Sequence, residues 1–482
     1  MFHLRSRQRK SLAQPVGLRA RPVHSDYACR HACVTDNPED ELVAELVEPM
    51  KILLVSLNFA PEPTGIGKYS GEMAEGLVAR GHEVTVVCAP PYYPTWTVQD
   101  GYSAWAYRIE RPRPGLTVRR CPVWLPKRLR GPTRLLHLAS FALSSLPIVL
   151  GLVLWRPHVV LAVAPALACA PGAWLAARLA GAKAWLHVQD FEVDAAFELG
   201  ILQRPSLRRA ALVFERILMR RFDVVSTISS RMSRQLVVKG VPPEHTELIP
   251  NWVVLPARQA VERLADLRRS LGIAGSQTVC LFSGSLNRKQ GLAVLVEAAR
   301  LLKDDPRIVF VVCGNGEVRQ SVELSAAGLG NMRFIDLRPA AELDALLAMA
   351  DIHLLPQLRG AADLVMPSKL VGMLASGRPV VAACAPDSEV ASVVTGCGIV
   401  TPPECPAGFV SAISALVSDP QRAKRLGDAG RARAESHFGS REILDRLHAR
   451  LDALHRPVRA DAVSDTKPAP PSASDTASVR GR

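Results

Sequence analysis

Short apolar runs recur along most of the chain, and each is followed by a polar turn and an amphipathic segment. Residues 52–57 are apolar without polar alternation, which is typical of a β-strand covered on both faces. Residues 65–80 carry apolar side chains at helical spacing and stop at Gly81, which suits a helix C-cap. A second buried-strand pattern follows at 84–88. This order of strand, turn, helix and strand predicts a parallel sheet.

The same alternation continues far along the chain. Further strands are predicted to end at Asp190 and Ser229, and a second series of strands and helices begins at Thr278. Its predicted strands are 278–284, 307–316, 332–336, 352–356 and 378–384, and its predicted helices are 290–302, 317–327, 340–349 and 368–376. Buried strands that alternate with helices predict an α/β fold with two Rossmann-like parallel-sheet domains.

The domain boundaries follow from the gaps in this pattern. We expect a first domain at 50–250 and a second at 251–456. Residues 1–49 hold few large apolar residues, and 457–482 are rich in Pro, Ser, Ala and Asp, so both are expected to be poorly ordered. The basic start does not resemble a secretory signal, because no apolar stretch follows it. Met50 directly precedes the first strand, and we hypothesise that it is the natural initiator.

An uncharged apolar segment at 135–155 stands between basic flanks. Its length qualifies it as a membrane span, but Pro147 interrupts it and another strand pattern follows within a few residues. We favour a helix that packs on the sheet and dips into the inner membrane surface, with its flanking cations touching acidic head groups. A wholly buried helix and a true span are the alternatives. The flanking cations are Lys127, Arg128, Arg130, Arg134 and Arg156.

The formal charge of +14 and the pI near 9.6 imply attraction to polyanions. Much of the charge is Arg scattered along predicted helices without interleaved aromatic residues, so we expect no nucleic-acid partner. Most cysteines lie in apolar runs, which indicates core residues in a reducing, cytoplasmic compartment. Cys29 and Cys33 lack diagnostic metal-site spacing, so no metal is expected. The cysteines in strand-like runs include Cys88, Cys280, Cys313 and Cys384.

The turn after the first strand is a candidate phosphate-binding site. Glu62 and Tyr69 occupy the positions where a Walker loop needs Gly and Ser or Thr, which excludes that loop. The spacing of Gly65, Gly67 and Gly71, and a second strand without a terminal acid, disfavour a dinucleotide site. Gly65 and Gly67 can still bring backbone amides and a helix N-terminus close to an anion. The alternative is that these glycines only make a tight turn.

Ligands of open parallel sheets bind beyond the carboxyl ends of the strands, which selects further candidates in both domains. An active site in the cleft between the domains follows. Besides Gly65 and Gly67, the candidates are His187, Asp190, Asn251, Ser283, Gly284, Arg288, Lys289, Gly314, Gly316 and the 356–369 loop with Pro367, Ser368 and Lys369.

Two of these groups suggest specific chemistry. Arg288 and Lys289 stand just ahead of a predicted helix, where two cations can offset the charge of a diphosphate leaving group without a metal. A solvated basic turn is the alternative. His187 and Asp190 end a strand in the other domain and can contact an acceptor hydroxyl, although a histidine in so apolar a run is more often a satisfied core residue.

Several motifs in order resemble a known family over about residues 50–450. They are NFAPEPTGIGKYSGEMAEGLVARGHEVTVVCAPPYYPTW, WLHVQDFEVDAAFELG, IPNWV, FSGSLNRKQGL and MPSKLVGMLASGRPVV. Together they resemble the GT-B glycosyltransferases of family 4, and within these the colanic acid biosynthesis group, described as fucosyltransferases.

The resemblance implies a retaining transferase that moves a sugar from a nucleotide diphosphate donor to a lipid-linked oligosaccharide in exopolysaccharide or capsule biosynthesis. It implies that Gly65 and Gly67 face the donor diphosphate and that His187 lies near the reacting centre. Arg288 and Lys289 would bind the diphosphate. The loop around Arg338 would lie near the base.

The chain departs from the family pattern at one place. Two Glu residues eight positions apart are expected before the Gly-x-Pro strand start, but Leu364 and Gly372 occupy these positions. Asp363 and Lys369 are nearby substitutes, and Lys369 with the Ser368 amide would contact the donor phosphate or sugar.

Two other functions remain open at this stage. A sugar-nucleotide epimerase uses a similar cleft but has no need of an apolar, basic-flanked membrane segment. A non-catalytic membrane scaffold of a polysaccharide assembly complex would tolerate removal of Arg288 and Lys289.

Overall fold

The computed structural model describes residues 48–63, 65–126, 131–165, 167–191, 193, 205–255, 261–359 and 368–455. Several predictions fall outside the described residues. They concern the N-terminal extension up to residue 47, the tail at 457–482, Pro367, and the cations Lys127, Arg128 and Arg130.

The first domain is built on an eight-stranded sheet of order β3-β4-β2-β1-β5-β6-β7-β8. All neighbours are parallel except β3 and β4, which form an antiparallel hairpin at the edge. The Pro114-Gly115 turn makes this hairpin, with Gly115 at φ 80°. The strands are β1 Lys51–Ser56, β2 Glu83–Cys88, β3 Arg108–Arg113, β4 Leu116–Arg120, β5 Val159–Ala164, β6 Lys183–Val188, β7 Val224–Thr227 and β8 Thr246–Leu248.

The helices of this domain cover both faces of the sheet. The chain runs one way along the sheet from β1 to β2 and the other way from β4 through β5, β6 and β7, so right-handed crossovers put the connecting helices on opposite faces. The apolar clusters agree, because α2, α3 and α4 share one cluster and α1 belongs to another. The helices are α1 Gly65–Ala79, α2 Gly131–Gly151, α3 Ala170–Ala180, α4 Pro205–Met219 and α5 Ser230–Val238.

The second domain has a six-stranded parallel sheet of order β11-β10-β9-β12-β13-β14. Its strands are β9 Thr278–Ser283, β10 Ile308–Cys313, β11 Met332–Ile335, β12 Ile352–Pro356, β13 Val380–Ala383 and β14 Gly398–Thr401. Its helices are α6 Val261–Ser270, α7 Ala293–Leu301, α8 Arg319–Ser325, α9 Ala340–Met349, α10 Ser368–Ala375, α11 Glu389–Val394, α12 Pro406–Ser418 and α13 Pro420–Phe438. The two parallel-sheet domains predicted from the apolar pattern are confirmed.

The last helix, α14 Ser440–His455, returns to the first domain. Leu444 and Leu447 are buried in the same apolar cluster as Met73 and Leu77 of α1. A Cβ atom on Gly76 would lie 2.7 Å from Leu444 Cδ1, so the two helices are in direct contact. The predicted boundary of the second domain, 251–456, includes this helix. In the structure, the helix packs on the first domain instead.

The apolar segment at 135–155 is helical, as predicted, and packs on the sheet through Phe141 and Val149. A short 3-10 helix, Leu152–Trp155, extends α2. The continuous helix Pro132–Trp155 is long and apolar enough to cross a membrane by length and composition, and 28% of its most apolar window is buried. One side of the helix is therefore part of the core, and the helix also carries exposed leucines at positions 136, 143 and 154.

Candidate active site

The two domains meet through an ionic contact at their strand ends. Glu389 opens α11 after β13 and accepts hydrogen bonds from the backbone amides of Ser230, at 3.2 Å, and Arg231, at 3.1 Å. These amides start α5, directly after β7, and a carboxylate at a helix N-terminus is electrostatically favourable. The Arg231 guanidinium also donates to the Asp387 carbonyl at 2.9 Å. The contact brings the carboxyl edges of the two sheets together, where the sequence predicts the site.

The glycine-rich turn of the first domain is built around Glu62. This side chain is 1% exposed, and its Oε1 accepts hydrogen bonds from the backbone amides of Tyr92, at 3.1 Å, and Tyr93, at 3.0 Å. Burial raises the pKa of Glu62, and the two amide hydrogen bonds oppose that shift. A Cβ atom at Gly67 would lie 2.4 Å from Glu62 Oε2. Gly67 is therefore required by the carboxylate beside it, and Gly65 adopts φ 62° at the start of α1.

Glu62 is a residue that the sequence analysis missed. In the sequence, Glu62 is used only to exclude a Walker loop. An acidic residue inside a Pro/Gly-rich turn between two apolar elements was the signal that could have identified it as a functional residue. In the structure it ties the turn before α1 to the loop at residues 92–93, so the two loops at this edge hold one another in place.

Two loops of the second domain approach each other backbone to backbone. Gly284 donates to the Cys313 carbonyl at 2.9 Å, and Leu286 donates to the Asn315 carbonyl at 2.9 Å. A Cβ atom at Gly314 would lie 1.9 Å from the Gly284 carbonyl oxygen, which no side chain permits. The predicted groups Ser283–Gly284 and Gly314–Gly316 therefore form one surface at the ends of β9 and β10.

Lys369 lies directly against this glycine surface. Its Nζ donates to Gln290 Oε1 at 2.5 Å and lies 4.0 Å from the centre of the Phe282 ring. A Cβ atom at Gly284 would be 3.7 Å from Lys369 Nζ. Burial lowers the pKa of Lys369 to about 7. Its hydrogen-bond partner is a neutral amide, and no carboxylate among the described residues forms an ion pair with it, so the ammonium suits an incoming anion.

The predicted pair Arg288 and Lys289 sits in a 3-10 turn, Arg288–Gln290, ahead of α7. The Arg288 side chain is 86% exposed, and its Nε lies 4.0 Å from Glu317 Oε1, a weak surface contact. The side chain of Lys289, like that of Ser368, lies outside the described part. In the described geometry the buried cation next to the glycine surface is Lys369, and Arg288 is a solvated rim residue.

Arg338 follows β11 in the same domain and is half-buried. Its Nη1 lies 3.5 Å from Glu342 Oε2, one helical turn further on. The structure therefore places it beside the loop at the end of β10 but with its own ion-pair partner.

His187 is a buried, neutral side chain near the end of β6. Its Nδ1 lies 2.8 Å from Ser226 Oγ, which also accepts a hydrogen bond from Trp185 Nε1 at 2.7 Å. Burial lowers the pKa of His187 to about 4, so the imidazole is uncharged at neutral pH. This geometry agrees with the satisfied core histidine that was the alternative to an acceptor contact.

The remaining two candidates flank the junction of the domains. Asp190 is half-buried just beyond β6, and Asn251 is 5% exposed next to Trp252. Trp252 donates its Nε1 hydrogen to Glu72 of α1 at 2.8 Å, which anchors the linker on the first domain. Among the described residues, no group of three or more His, Cys, Asp or Glu side chains is placed to hold a metal ion.

Comparison with known proteins identifies the two domains separately. A family model described as "Glycosyl transferase 4-like domain" matches residues 64–252, and one described as "Glycosyl transferases group 1" matches residues 265–433. The two matches lie on the first and second sheet domains, respectively.

Two relatives by sequence carry glycosyltransferase names. The chain is 45% identical over 336 residues to the colanic acid biosynthesis glycosyl transferase WcaI of Escherichia coli (strain K12), which covers 68% of this chain and 82% of that protein. It is 28% identical over 281 residues to a D-inositol 3-phosphate glycosyltransferase of Geodermatophilus obscurus, covering 55% of this chain and 60% of the relative.

Solved structures agree on the fold. A sucrose-phosphate synthase from Thermosynechococcus elongatus matches with a TM-score of 0.66 at 18% identity, over 84% of this chain and 99% of that one. Anabaena HepE in complex with UDP-glucose matches with a TM-score of 0.61 at 16% identity, over 84% of this chain and all of the other. The family matches favour a transferase over the epimerase and scaffold alternatives. The chain belongs to the group 1 glycosyltransferases, with the GT-B fold, and is an enzyme of that class.

Proposed function

We propose that this enzyme binds a nucleoside diphosphate sugar between its two domains, with the diphosphate against Lys369, Gly284 and Gly314. The observation that carries this proposal is the half-buried Lys369 ammonium, which lies on a bare glycine surface and, among the described residues, donates a hydrogen bond to the Gln290 amide and pairs with no carboxylate. The Gly65 and Gly67 turn would meet the donor from the first domain. The similar fold of HepE, whose structure is named as a complex with UDP-glucose, supports a nucleotide sugar as the donor class.

Lys369 would assist departure of the diphosphate. As the bond between the anomeric carbon and the diphosphate oxygen breaks, negative charge grows on that oxygen, and a fixed ammonium stabilises it without a metal. The acceptor hydroxyl oxygen then bonds to the anomeric carbon, and its proton passes to the departing phosphate oxygen. We propose retention of configuration, as the resemblance to family 4 implies. No metal or other cofactor is required in this scheme.

Roles for the first-domain residues follow from their protonation states. His187 is buried, neutral and hydrogen-bonded to Ser226, so it would support the end of β6 from the core and would not act as a cation at the reacting centre. Asp190 would contact the acceptor hydroxyl from the adjacent strand end. Arg288 and Lys289 would form the outer rim of the diphosphate site, and Arg338 would lie near the base.

The acceptor proposed here is a lipid-linked oligosaccharide in exopolysaccharide biosynthesis, with fucose as the first candidate sugar. The relative named for colanic acid biosynthesis supports this assignment. The enzyme would work at the cytoplasmic face of the inner membrane, with α2 lying in the surface as a peripheral anchor. The exposed leucines of this helix, Leu136, Leu143 and Leu154, support that placement.

The test is a transfer assay with purified protein, GDP-fucose, a series of UDP-linked sugars and a membrane extract that contains lipid-linked acceptors. We expect one donor to be consumed with transfer to lipid. We expect Lys369→Ala to raise the donor KM at least about tenfold, because a desolvated ion-pair contact to the diphosphate is lost. Lys424→Ala, which removes an exposed lysine of α13 that pairs with Asp428, is the control. Unchanged donor kinetics in Lys369→Ala would refute the diphosphate assignment.

A further inference from the structure

An apolar cleft lies between α2 and α3, outside the donor site. Its volume is about 280 Å³, and most of its lining is apolar. Val55 is the penultimate residue of β1, and Cys169 follows β5, so the cleft reaches the carboxyl edge of the first sheet. The Gly65 and Gly67 turn stands at the same edge. The lining used in this argument consists of Val55, Ala142, Leu146, Val149, Cys169 and Leu175.

The rim of the cleft is exposed and continues into a larger apolar surface. Leu143 is 72% exposed, Leu175 is 40% exposed, and both line the cleft. A Cβ atom at Gly172 would lie 2.8 Å from Leu146 Cδ1, so a glycine lets α3 come close to α2 at this point. Single exposed leucines are ordinary, but these belong to neighbouring helices and line the same cleft.

The sequence that contains the two cleft helices is basic. Between Glu110 and Asp190 the sequence contains eleven Lys and Arg residues and no Asp or Glu. Arg178 is exposed on α3, one turn beyond Leu175. A cleft of this composition is complementary to a molecule with a hydrocarbon chain and a phosphate-bearing head, and not to a neutral or cationic one.

Helix α4, the third helix on this face, also exposes apolar and basic side chains. Phe214 and Ile217 of α4 are each about half exposed, at 50% and 52%, and Arg216 lies between them in sequence. Arg221, just after α4, stacks over the ring of Trp174 of α3 at 5.3 Å, which links the two helices. An apolar and basic face across three neighbouring helices fits a membrane interface.

We propose that the cleft between α2 and α3 holds the part of the acceptor lipid's hydrocarbon chain that is next to its phosphate, so that the phosphate and sugar reach the carboxyl edge of the first sheet. This inference rests on the proposed function and adds a subsite for the acceptor chain. A bulk membrane lipid would be satisfied by the exposed face alone. The cleft, however, continues from that face to the carboxyl edge of the first sheet, where the Gly65 and Gly67 turn lies. This continuation favours the acceptor lipid as the occupant.

The test is photo-crosslinking with a polyprenyl diphosphate that carries a diazirine on its chain, using the full-length protein in detergent micelles. Leu146→Trp fills the cleft, and Leu175→Asp places a charge on its rim. Leu179→Asp is the matched control, because Leu179 is 61% exposed on the same helix but does not line the cleft. Thermal melts establish that each variant is folded.

We expect crosslinks in residues 142–149 and 168–175, and a loss of about tenfold in both cleft variants but not in Leu179→Asp. Unlabelled long-chain polyprenyl phosphate should compete with the probe, and phosphatidylglycerol at the same concentration should not. Crosslinking that is unchanged in both cleft variants, or displaced equally by phosphatidylglycerol, would overturn the proposal.

The crosslink requires no sugar donor, so its outcome is separate from the transfer assay. Crosslinks in the cleft without transfer from any nucleotide sugar would contradict the proposed function and leave the lipid site standing. Transfer with the same acceptor KM for long-chain and short-chain acceptors would contradict the cleft and leave the proposed function standing.

Discussion

Lys369 and Glu62 are buried charges whose neighbours are glycines. Lys369 lies on Gly284, and Glu62 lies against Gly67, so in each case a missing side chain makes room for a charged one. Burial disfavours the charged form of both groups, so it lowers the pKa of the Lys369 ammonium and raises the pKa of the Glu62 carboxyl. Such pairs of opposed shifts around one cleft are typical of functional sites.

Lys369 should make donor binding depend on pH. Its pKa is lowered to about 7 in the free enzyme, and a bound diphosphate favours the charged form, so binding above this pH requires uptake of a proton. We expect the donor KM to rise by up to about tenfold per pH unit between about pH 7 and pH 9. The profile of Lys369→Arg, which stays charged throughout, should be flat. Parallel profiles for the two enzymes would contradict this account.

Gly67 should tolerate a side chain only when Glu62 is shortened. A Cβ atom at Gly67 would lie 2.4 Å from the carboxylate, so Gly67→Ala should lower the free energy of unfolding by about 1–3 kcal/mol. A Cβ at Gly67 would also lie 2.6 Å from Glu62 Cβ, so in a double-mutant cycle with Glu62→Gly, which removes the whole side chain, the cost of Gly67→Ala should shrink. Urea denaturation of the four proteins measures this coupling, and strictly additive costs would show that the contact is not the cause.

Helix α2 combines two environments on one element. Phe141 and Val149 are in the core, whereas Leu136 is 59% exposed and Leu154, in the 3-10 extension, is 89% exposed. The sequence predicts both the helix and its packing on the sheet from length, Pro147 and the following strand. The identity of the exposed positions comes from the structure, because it depends on how the helix is rotated against the sheet.

The exposed side of α2 should carry membrane affinity. The double variant Leu136→Asp and Leu154→Asp should weaken cosedimentation with phosphatidylglycerol vesicles by about tenfold or more. The reason is that burial of these two leucines in the bilayer contributes to membrane binding. Leu324→Asp is the control, since Leu324 is 70% exposed on α8 of the second domain. Equal loss in the control, or no loss in the double variant, would argue against α2 as the anchor.

The fold is closed by contacts between segments far apart in sequence. His82 Nδ1 accepts the backbone amide hydrogen of Met50 at 3.2 Å, and its Nε2 lies 2.9 Å from His448 Nδ1 on α14. The Met50 bond requires the neutral tautomer with hydrogen on Nε2, which then donates to His448. Burial lowers the pKa of His82 to about 4. The docking of the last helix on the first domain therefore depends on an uncharged histidine.

This docking should weaken in mild acid. Because the folded pKa of His82 is below its ordinary value, the unfolded chain binds the extra proton first, and stability falls as pH drops below about 6.5. His82→Asn keeps an acceptor for the Met50 amide but does not titrate. Between about pH 7.5 and pH 5, we expect the variant to lose about 1–2 kcal/mol less unfolding free energy than the wild type. Equal losses in urea denaturation would exclude His82 as the titrating group.

Local patterns were sufficient for much of this protein. The apolar runs and helical spacing predict both sheets and four of the eight helices of the second domain, because buried strands and amphipathic helices are properties of adjacent residues. The family motifs are equally local, and the predicted buried cysteines Cys88, Cys280, Cys313 and Cys384 are confirmed in the core. The local pattern does not predict the hairpin β3–β4, because charged residues such as those of β3 lack the apolar alternation that marks a strand.

Contacts across the chain were beyond such patterns. Lys369 meets Gly284 and Gln290, Glu62 meets the amides at 92–93, and α14 returns to α1. Each contact depends on which strands are neighbours in a sheet and on how two sheets meet, and neither is encoded in the spacing along a single segment. For that reason, the sequence by itself identifies the carboxyl edges of the two sheets as the place of the candidate site. Only the packing of distant segments places the Lys369 ammonium against the glycine surface there.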